Sequence, residues 1–222
     1  MSIPFSPGIV LGEAPVLKLL TRTRFILRAM STRYTVVFQQ VQTIRANLMM
    51  EIFDADERHI PAIQQIYAWH VLNGTGSFET VPPDAAEMGE RMRKIQQAGL
   101  PWFIAVSDGD VRGFCYLAPY RPRHAYRHTL EDSIYIDPGF QKRGAGSRLL
   151  EHTIQWAEQK GYRQLIANVG DSENRGSIAV HQAAGFEMTG ILRSVGFKQG
   201  RWLDTVFMQR SLGTGDTTPP VD

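Results

Sequence analysis

Two hydrophobic periods trade places along the chain from Glu51 onward, and each switch marks a new element. "EIFDA" at 51–55 reads as a strand. Over 57–72, Ile60, Ile63, Ile66, Tyr67 and Val71 recur at helical spacing, which predicts a helix capped by Asp54 or Asp56. "SFET" at 77–80 suggests a short extended piece, and 84–98 a second helix with Gly99 just past its end. "WFIAVS" and "VRGFCYLAPY" are strand patterns divided by "DGD", a hairpin turn signal. A polar connector at 121–130 leads to a strand near 132–136, a loop rich in glycine and arginine, and a helix from about 144 to 160. "QLIANV" is the next strand and 174–184 the next helix, after which "GFEMTGILRSVGFKQGRWLDTVFMQRSL" closes the domain as paired strands. No internal repeat is present. The alternation predicts an α/β protein with a mixed sheet.

The pattern is broken before Met49. Pro4, Pro7, Glu13 and Pro15 interrupt "SIPFSPGIVLGEAPVLKLL", which has no signal-peptide core followed by a small-residue cleavage site. Its arginines and scarce acids admit a targeting peptide. The plainer expectation is a start codon assigned too early, because Met49 and Met50 directly precede the first strand. Residues 1–48 are therefore expected to be a disordered or mis-assigned extension, 49–212 the folded domain, and "GTGDTTPPVD" at 213–222 a flexible tail.

Charge sharpens that division. Residues 1–48 hold six basic side chains against one acidic, a net +5, which leaves 18 basic against 21 acidic, a net −3, for the remainder. A nucleic-acid partner would call for positive charge on the folded domain, so none is expected. The 43% apolar content supports a sizeable core. No apolar run reaches the length of a membrane helix, so no membrane partner is expected. The single cysteine, Cys115, suits a reducing, cytoplasmic setting and reads as a core residue rather than a nucleophile.

The loop at 137–147 is the chemical centre of the pattern. Gly139 and Gly144 have P-loop spacing, but Ala145 and Gly146 stand where Lys and Ser or Thr would be required. "GAGSRL" opens like a dinucleotide fingerprint, yet Leu149 replaces its third glycine. Q-x-x-G-x-G fits: Gln141, Lys142, Arg143, Gly144, Ala145 and Gly146 lie between a strand and a helix, followed by Ser147. Without side chains at 144 and 146, backbone N–H groups can converge on a pyrophosphate at the positive helix end. Lys142, Arg143 and Arg148 add charge suited to a cofactor with several phosphates. The alternative is a tight turn with a solvated basic rim.

This loop resembles motif A of the GNAT superfamily of N-acetyltransferases. "SFETVP", "RPRHAYRHTLEDSIYI", "DPGFQKRGAGSRLL", "ENRGSIAVHQAAGF" and "GFKQGRWLDTVFMQ" follow the order and spacing of its phosphinothricin and methionine sulfoximine N-acetyltransferases, covering about residues 50–212. The resemblance implies a three-layer α/β fold with a twisted, splayed mixed sheet flanked by helices, acetyl-CoA as co-substrate without a metal, and a homodimer. It further implies that the pantetheine arm lies in the splay. There Ile134, Tyr135 and Ile136 would offer main-chain contacts and Asn174 a hydrogen bond, although Asn174 can also simply cap its helix.

The same resemblance assigns the chemistry. Glu131 stands where these enzymes carry a glutamate that removes a proton from the acceptor amine. Asp132, one residue on, faces the other side of an extended chain. His181 occupies the place where many GNAT enzymes have a tyrosine. It can donate to the departing sulfur or relay a proton, or be a packing histidine. Phe78, Arg123, His124 and Tyr126 are implied to line the substrate site, with a guanidinium gripping a carboxylate or phosphinate. His124 and His128 beside Glu131 raise a metal-hydrolase alternative, which lacks the H-E-x-x-H order. The expected activity is acetyl transfer to the α-amino group of a small amino-acid-like substrate. A protein N-terminus or another amine as acceptor, or a non-catalytic acyl-CoA sensor, are the alternatives.

Overall fold

The computed structural model describes residues 50–220; the expectations for residues 1–48 lie outside them. Seven strands form one sheet in the order β1-β2-β3-β4-β5-β7-β6 among the described residues. They are β1 (Glu51–Asp54), β2 (Trp102–Ser107), β3 (Asp110–Pro119), β4 (Thr129–Ile136), β5 (Gln164–Gly170), β6 (Glu187–Lys198) and β7 (Arg201–Ser211). The helices are α1 (Ile60–Asn73), α2 (Ala85–Gln97), α3 (Ala145–Gln159) and α4 (Arg175–Ala183). Every pairing is antiparallel except β4 with β5. The mixed α/β sheet expected from the pattern is therefore present.

Local chemistry explains the boundaries. Asp56 begins the first helical segment: its carboxylate accepts from the Arg58 amide at 2.9 Å while His59 Nδ1 accepts from the Asp56 amide at 3.1 Å. That opening turn, Glu57–His59, is 3-10 before α1 proper. Asp84 caps α2 through the Glu87 amide at 2.8 Å, and Gly99 takes φ 74° just beyond the helix. The β2–β3 turn puts both Asp108 (φ 53°) and Gly109 (φ 82°) in the left-handed region, the geometry that matches the twist of a hairpin.

"SFET" at 77–80, read as a short extended piece, is not paired into the sheet. One strand boundary needs correction. The strand read near 132–136 starts at Thr129, because Leu130 is buried in the core and continues the alternation. Residues 213–218 run in turns, and the Arg163 guanidinium donates to the Gly215 carbonyl at 3.1 Å and to Thr218 Oγ1 at 3.0 Å.

Helices cover both sheet faces. On one, Ile63, Ile66, Tyr67 and Val71 of α1 and Met88 and Met92 of α2 pack on Trp102, Ile104 and Phe114. On the other, Leu149, Leu150, Ile154 and Ala157 of α3 pack against Phe103, Cys115, Leu130 and Leu165. Each fully buried leucine contributes about 1.5–3 kcal/mol. Cys115 is wholly buried here, and burial pushes its thiol far above the usual range, as a core residue requires.

Candidate active site

β4 and β5 separate partway along their length. Their parallel register runs Thr129↔Gln164, Leu130↔Leu165, Glu131↔Ile166 and Asp132↔Ala167, and there it ends. From Ser133 to Ile136, β4 keeps only its β3 partner, with Ile134 opposite Cys115, Tyr135 opposite Phe114 and Ile136 opposite Gly113. The splay expected between these two strands is thus present. Tyr135 turns its ring into the α1 face, 4.9 Å from Tyr67 and 5.2 Å from Phe114 between centroids, so its contribution at the split is made by its backbone. His70 Nε2 lies 2.8 Å from the Ile136 carbonyl, tying α1 to the end of this strand.

Beyond β4 the chain turns over Phe140, which is buried, and enters α3. Asp137 accepts from the Gly139 amide at 2.9 Å and fixes the turn. Lys142 (φ 59°) and Gly144 (φ 85°) are both left-handed. Gly144 is the N-cap and supplies no side-chain acceptor, so the first amides of α3, among them Ala145, Gly146 and Ser147, have no cap. A Cβ on Gly146 would lie 3.7 Å from Ile136 and from Val180, which the protein itself can accommodate. Gln141, Lys142, Arg143 and Ser147 are exposed around this opening, with the Arg143 guanidinium 5.0 Å from the centre of the Phe140 ring. Uncapped amides, a positive helix end and a basic rim fit a polyphosphate group.

Glu131 and Asp132 face opposite sides of β4. Glu131 shares its face with Tyr135, is half-buried, and has a carboxyl pushed up by burial. A hydrogen bond from Asn168 opposes that shift, Asp132 adds to it, and Arg121 counters it. Asp132 is buried on the α3 side, and its Oδ2 lies 3.0 Å from His181 Nε2. His181 Nδ1 donates to the Ser177 carbonyl at 2.7 Å. Burial works against charge on this imidazole, but the Asp132 hydrogen bond and charge, with the Ser177 carbonyl, raise it above its ordinary value. Both ring nitrogens are engaged, so no N–H is left for a sulfur in this arrangement.

Asn174 accepts from the Ser177 amide at 3.3 Å and caps α4, and its amide nitrogen lies 3.4 Å from the Gly170 carbonyl. Arg123, His124 and Tyr126 stand exposed on the connector, His124–Tyr126 forming a 3-10 turn with Tyr126 edge-on to Tyr120. Among the described residues no cluster of His, Cys, Asp or Glu is arranged to hold a metal.

Several participants escaped the sequence reading. Residues 74–78 cross the end of β5 so closely that a Cβ on Gly170 would collide with the Thr75 carbonyl. Lys198, buried at the tip of the β6–β7 hairpin, donates to the Gly74 carbonyl at 2.9 Å and to the Ser77 carbonyl at 2.6 Å. Ser77 also meets the Tyr67 hydroxyl at 3.0 Å, and Phe78 lies against Gly196. The backbone beside Phe78 is thus fixed by Tyr67 and Lys198. Arg121 and Asn168 both act on Glu131, yet Arg121 was given no role within its motif and Asn168 lay outside every motif. Asn168 could have been found only from its register beside the split.

The acetyltransferase (GNAT) family model matches residues 63–186. A phosphinothricin N-acetyltransferase of Alcaligenes faecalis is 55% identical over 161 residues, covering 72% of this chain and 82% of that protein. The L-methionine sulfoximine/L-methionine sulfone acetyltransferase of Salmonella typhimurium is 32% identical over 163 residues, 73% of this chain and 95% of that protein. A solved Sinorhizobium meliloti phosphinothricin acetyltransferase in complex with AcCoA superposes with a TM-score of 0.76 at 40% identity, covering 78% of this chain and 94% of that one. With the split strands and the uncapped glycine loop on the same β-strand-to-helix passage, the chain belongs to the GNAT family of N-acetyltransferases, on the branch of the phosphinothricin and methionine sulfoximine enzymes.

Proposed function

We propose that the protein acetylates the α-amino group of a small amino-acid-like compound of the phosphinothricin, methionine sulfoximine or methionine sulfone type, with Glu131 as general base. The observation that carries this reading is Glu131 itself. It is a half-buried carboxylate beside the point where β4 and β5 part, on the face opposite the Asp132–His181 pair, and burial raises its pKa toward the working range of a base.

Acetyl-CoA supplies the activated acyl group as a thioester. The uncapped amides at 145–147, with Gln141, Lys142 and Arg143, suit its pyrophosphate, and the β5-facing edge of Ile134–Ile136, beyond the last β4–β5 pair, suits its pantetheine arm. Asn174 can add a hydrogen bond by exchanging its capping contact. The acceptor arrives as an ammonium and must lose a proton before its lone pair can attack, and Glu131 takes that proton. The new N–C bond forms as the C–S bond breaks, and a backbone N–H of the split strand can stabilise the charge on the acyl oxygen. The thiolate leaves with little need of an acid, since a thiol's pKa is about 8.5. The Arg123 guanidinium suits the acceptor's carboxylate or phosphinate, with His124, Tyr126 and Phe78 as walls. His181 acts through Asp132, holding β4 in place.

Exposed Leu192, Val195, Phe197 and Trp202 on the β6–β7 hairpin support a homodimer. Among the described residues no helix is long and apolar enough to cross a membrane, and the lone buried cysteine suits a cytoplasmic setting.

Free-thiol release with a panel of amines tests the reading. Release with phosphinothricin or methionine sulfone supports it. Release only with a peptide N-terminus would transfer the activity to another acceptor, and cofactor binding without release would make the protein a sensor.

A further inference from the structure

We propose that Asn168 is part of the acceptor site: its amide group orients Glu131, and its side-chain carbonyl oxygen receives an N–H of the incoming amine. The inference rests on Glu131 being the base.

Asn168 is the first residue of β5 after the last β4 pairing, Asp132↔Ala167. Side chains of register partners share a face, so Glu131 and Ile166 point the same way, and Asn168, two residues beyond Ile166, points with them. Asn168 acts on the Glu131 carboxylate as a side-chain donor, holding its pKa down against the pull of burial. An ionised carboxylate only accepts, so the NH2 end of Asn168 must turn toward it and the Oδ1 end must turn away. That Oδ1 is buried and has no hydrogen-bond partner among the described residues. Its neighbours on the same face, Ile166 and the β7 partner Phe207, carry no side-chain donor. Buried carbonyl oxygens are normally satisfied, and the group due to occupy this side of the split carries N–H bonds to spare.

An ammonium has three N–H bonds. Glu131 takes the proton from one, leaving a lone pair on nitrogen, while a second N–H donates to Asn168 Oδ1. That second bond breaks nothing and transfers nothing; it fixes the direction of the lone pair. The other groups acting on Glu131 are Asp132 from the same strand, Arg121 from the connector and Tyr116 from β3. None of them couples the base to a free acceptor atom as Asn168 does.

The test is the pH dependence of kcat/KM for the acceptor at saturating acetyl-CoA, in wild type, Asn168→Leu, Asn168→Asp and Glu131→Gln, with melting temperature and acetyl-CoA KM recorded for each. Asn168→Leu should raise the acceptor KM by about tenfold or more, as expected for a lost hydrogen bond to a charged group, and move the acid limb to higher pH. Asn168→Asp should move the limb in the same direction by adding a like charge, and it preserves shape should the leucine variant fold poorly. Acetyl-CoA KM should stay within about twofold in both, because the split's phosphate end is untouched. A wild-type limb and wild-type acceptor KM in folded Asn168 variants, with the limb lost in Glu131→Gln, would overturn the role of Asn168 alone. A limb that survives Glu131→Gln would instead remove Glu131 as the base.

Discussion

Asp132 and His181 meet 3.0 Å apart in the core, on the opposite face of β4 from Glu131. Two adjacent carboxylates therefore live in different media: one beside the split, the other sealed against α4. Asp132 would be the obvious neutral control for Glu131 if only facing mattered, but its face is the core. Removing one member of a buried ionic pair costs about 3–5 kcal/mol, because the other is left uncompensated. Asp132→Asn is expected to lower the melting temperature on the order of 10 °C. The double variant Asp132→Leu, His181→Phe should recover much of that loss. Calorimetry on the three proteins decides it, and a double variant as unstable as the single one would show that the pair does more than fill space.

The pair also gives a pH signature. Because the folded protein holds His181 above its ordinary pKa, the stability this provides is full below about pH 6.5 and is lost as pH rises through the raised folded value. The destabilisation caused by His181→Phe should accordingly shrink from pH 6 to pH 9. A penalty that grows with pH over that range would contradict the assignment.

The glycine loop separates two roles that one substitution usually confounds. Gly144 has φ 85°, so any side chain there strains the backbone. Gly146 is different, since a Cβ meets its nearest protein atoms at 3.7 Å, an ordinary contact. Gly146→Ala should fold normally and keep its melting temperature while raising the acetyl-CoA KM by roughly 10–100-fold, through a methyl group that holds the phosphates off the amides. Isothermal titration with CoA checks this directly. Unchanged affinity would remove the pyrophosphate from this helix end.

The order of elements was legible because each strand or helix announces its own period over a few residues, and the left-handed turns at Asp108–Gly109 and Gly144 announce themselves through glycine. The glycine loop stood out through its own spacing, whereas Glu131 and His181 were candidates only through the family resemblance. The stretch at 74–80 was not. Its shape is set by Lys198, more than 120 residues away, and by Tyr67 across the helix, and no local propensity encodes such partners. Asn168 escaped for a related reason, since its meaning depends on where the β4 pairing stops.

Lys198 gives the fourth prediction. It satisfies two carbonyls of the loop that carries Phe78, and burial lowers its pKa against the pull of Glu79. Lys198→Met keeps the stem and removes both hydrogen bonds, so the loop should loosen over the acceptor side of the split. The acceptor KM should rise about tenfold with acetyl-CoA KM nearly unchanged. Equal rises in both KM values would mean that the loop supports the whole site.

Glu131→Gln keeps size and a hydrogen-bonding oxygen but removes the base. As a positioned general base is worth about 10²–10⁴ in rate, kcat should fall by that factor with acetyl-CoA KM intact, and residual activity should climb with pH as free amine accumulates. The same substitution should act on stability in the opposite sense. Burial raises the folded pKa of Glu131, so the stability linked to its protonation is present below the unfolded carboxylate value, near pH 4.3, and is lost as pH rises through the folded one. Glutamine cannot ionise and avoids that loss. Glu131→Gln should therefore melt higher than wild type at about pH 8 and at nearly the same temperature at about pH 4. A variant slower yet more stable at high pH is what a carboxylate held against its own solvation for catalysis predicts. One that is slower and less stable at pH 8 would make Glu131 a structural anchor, and the base would have to be sought elsewhere.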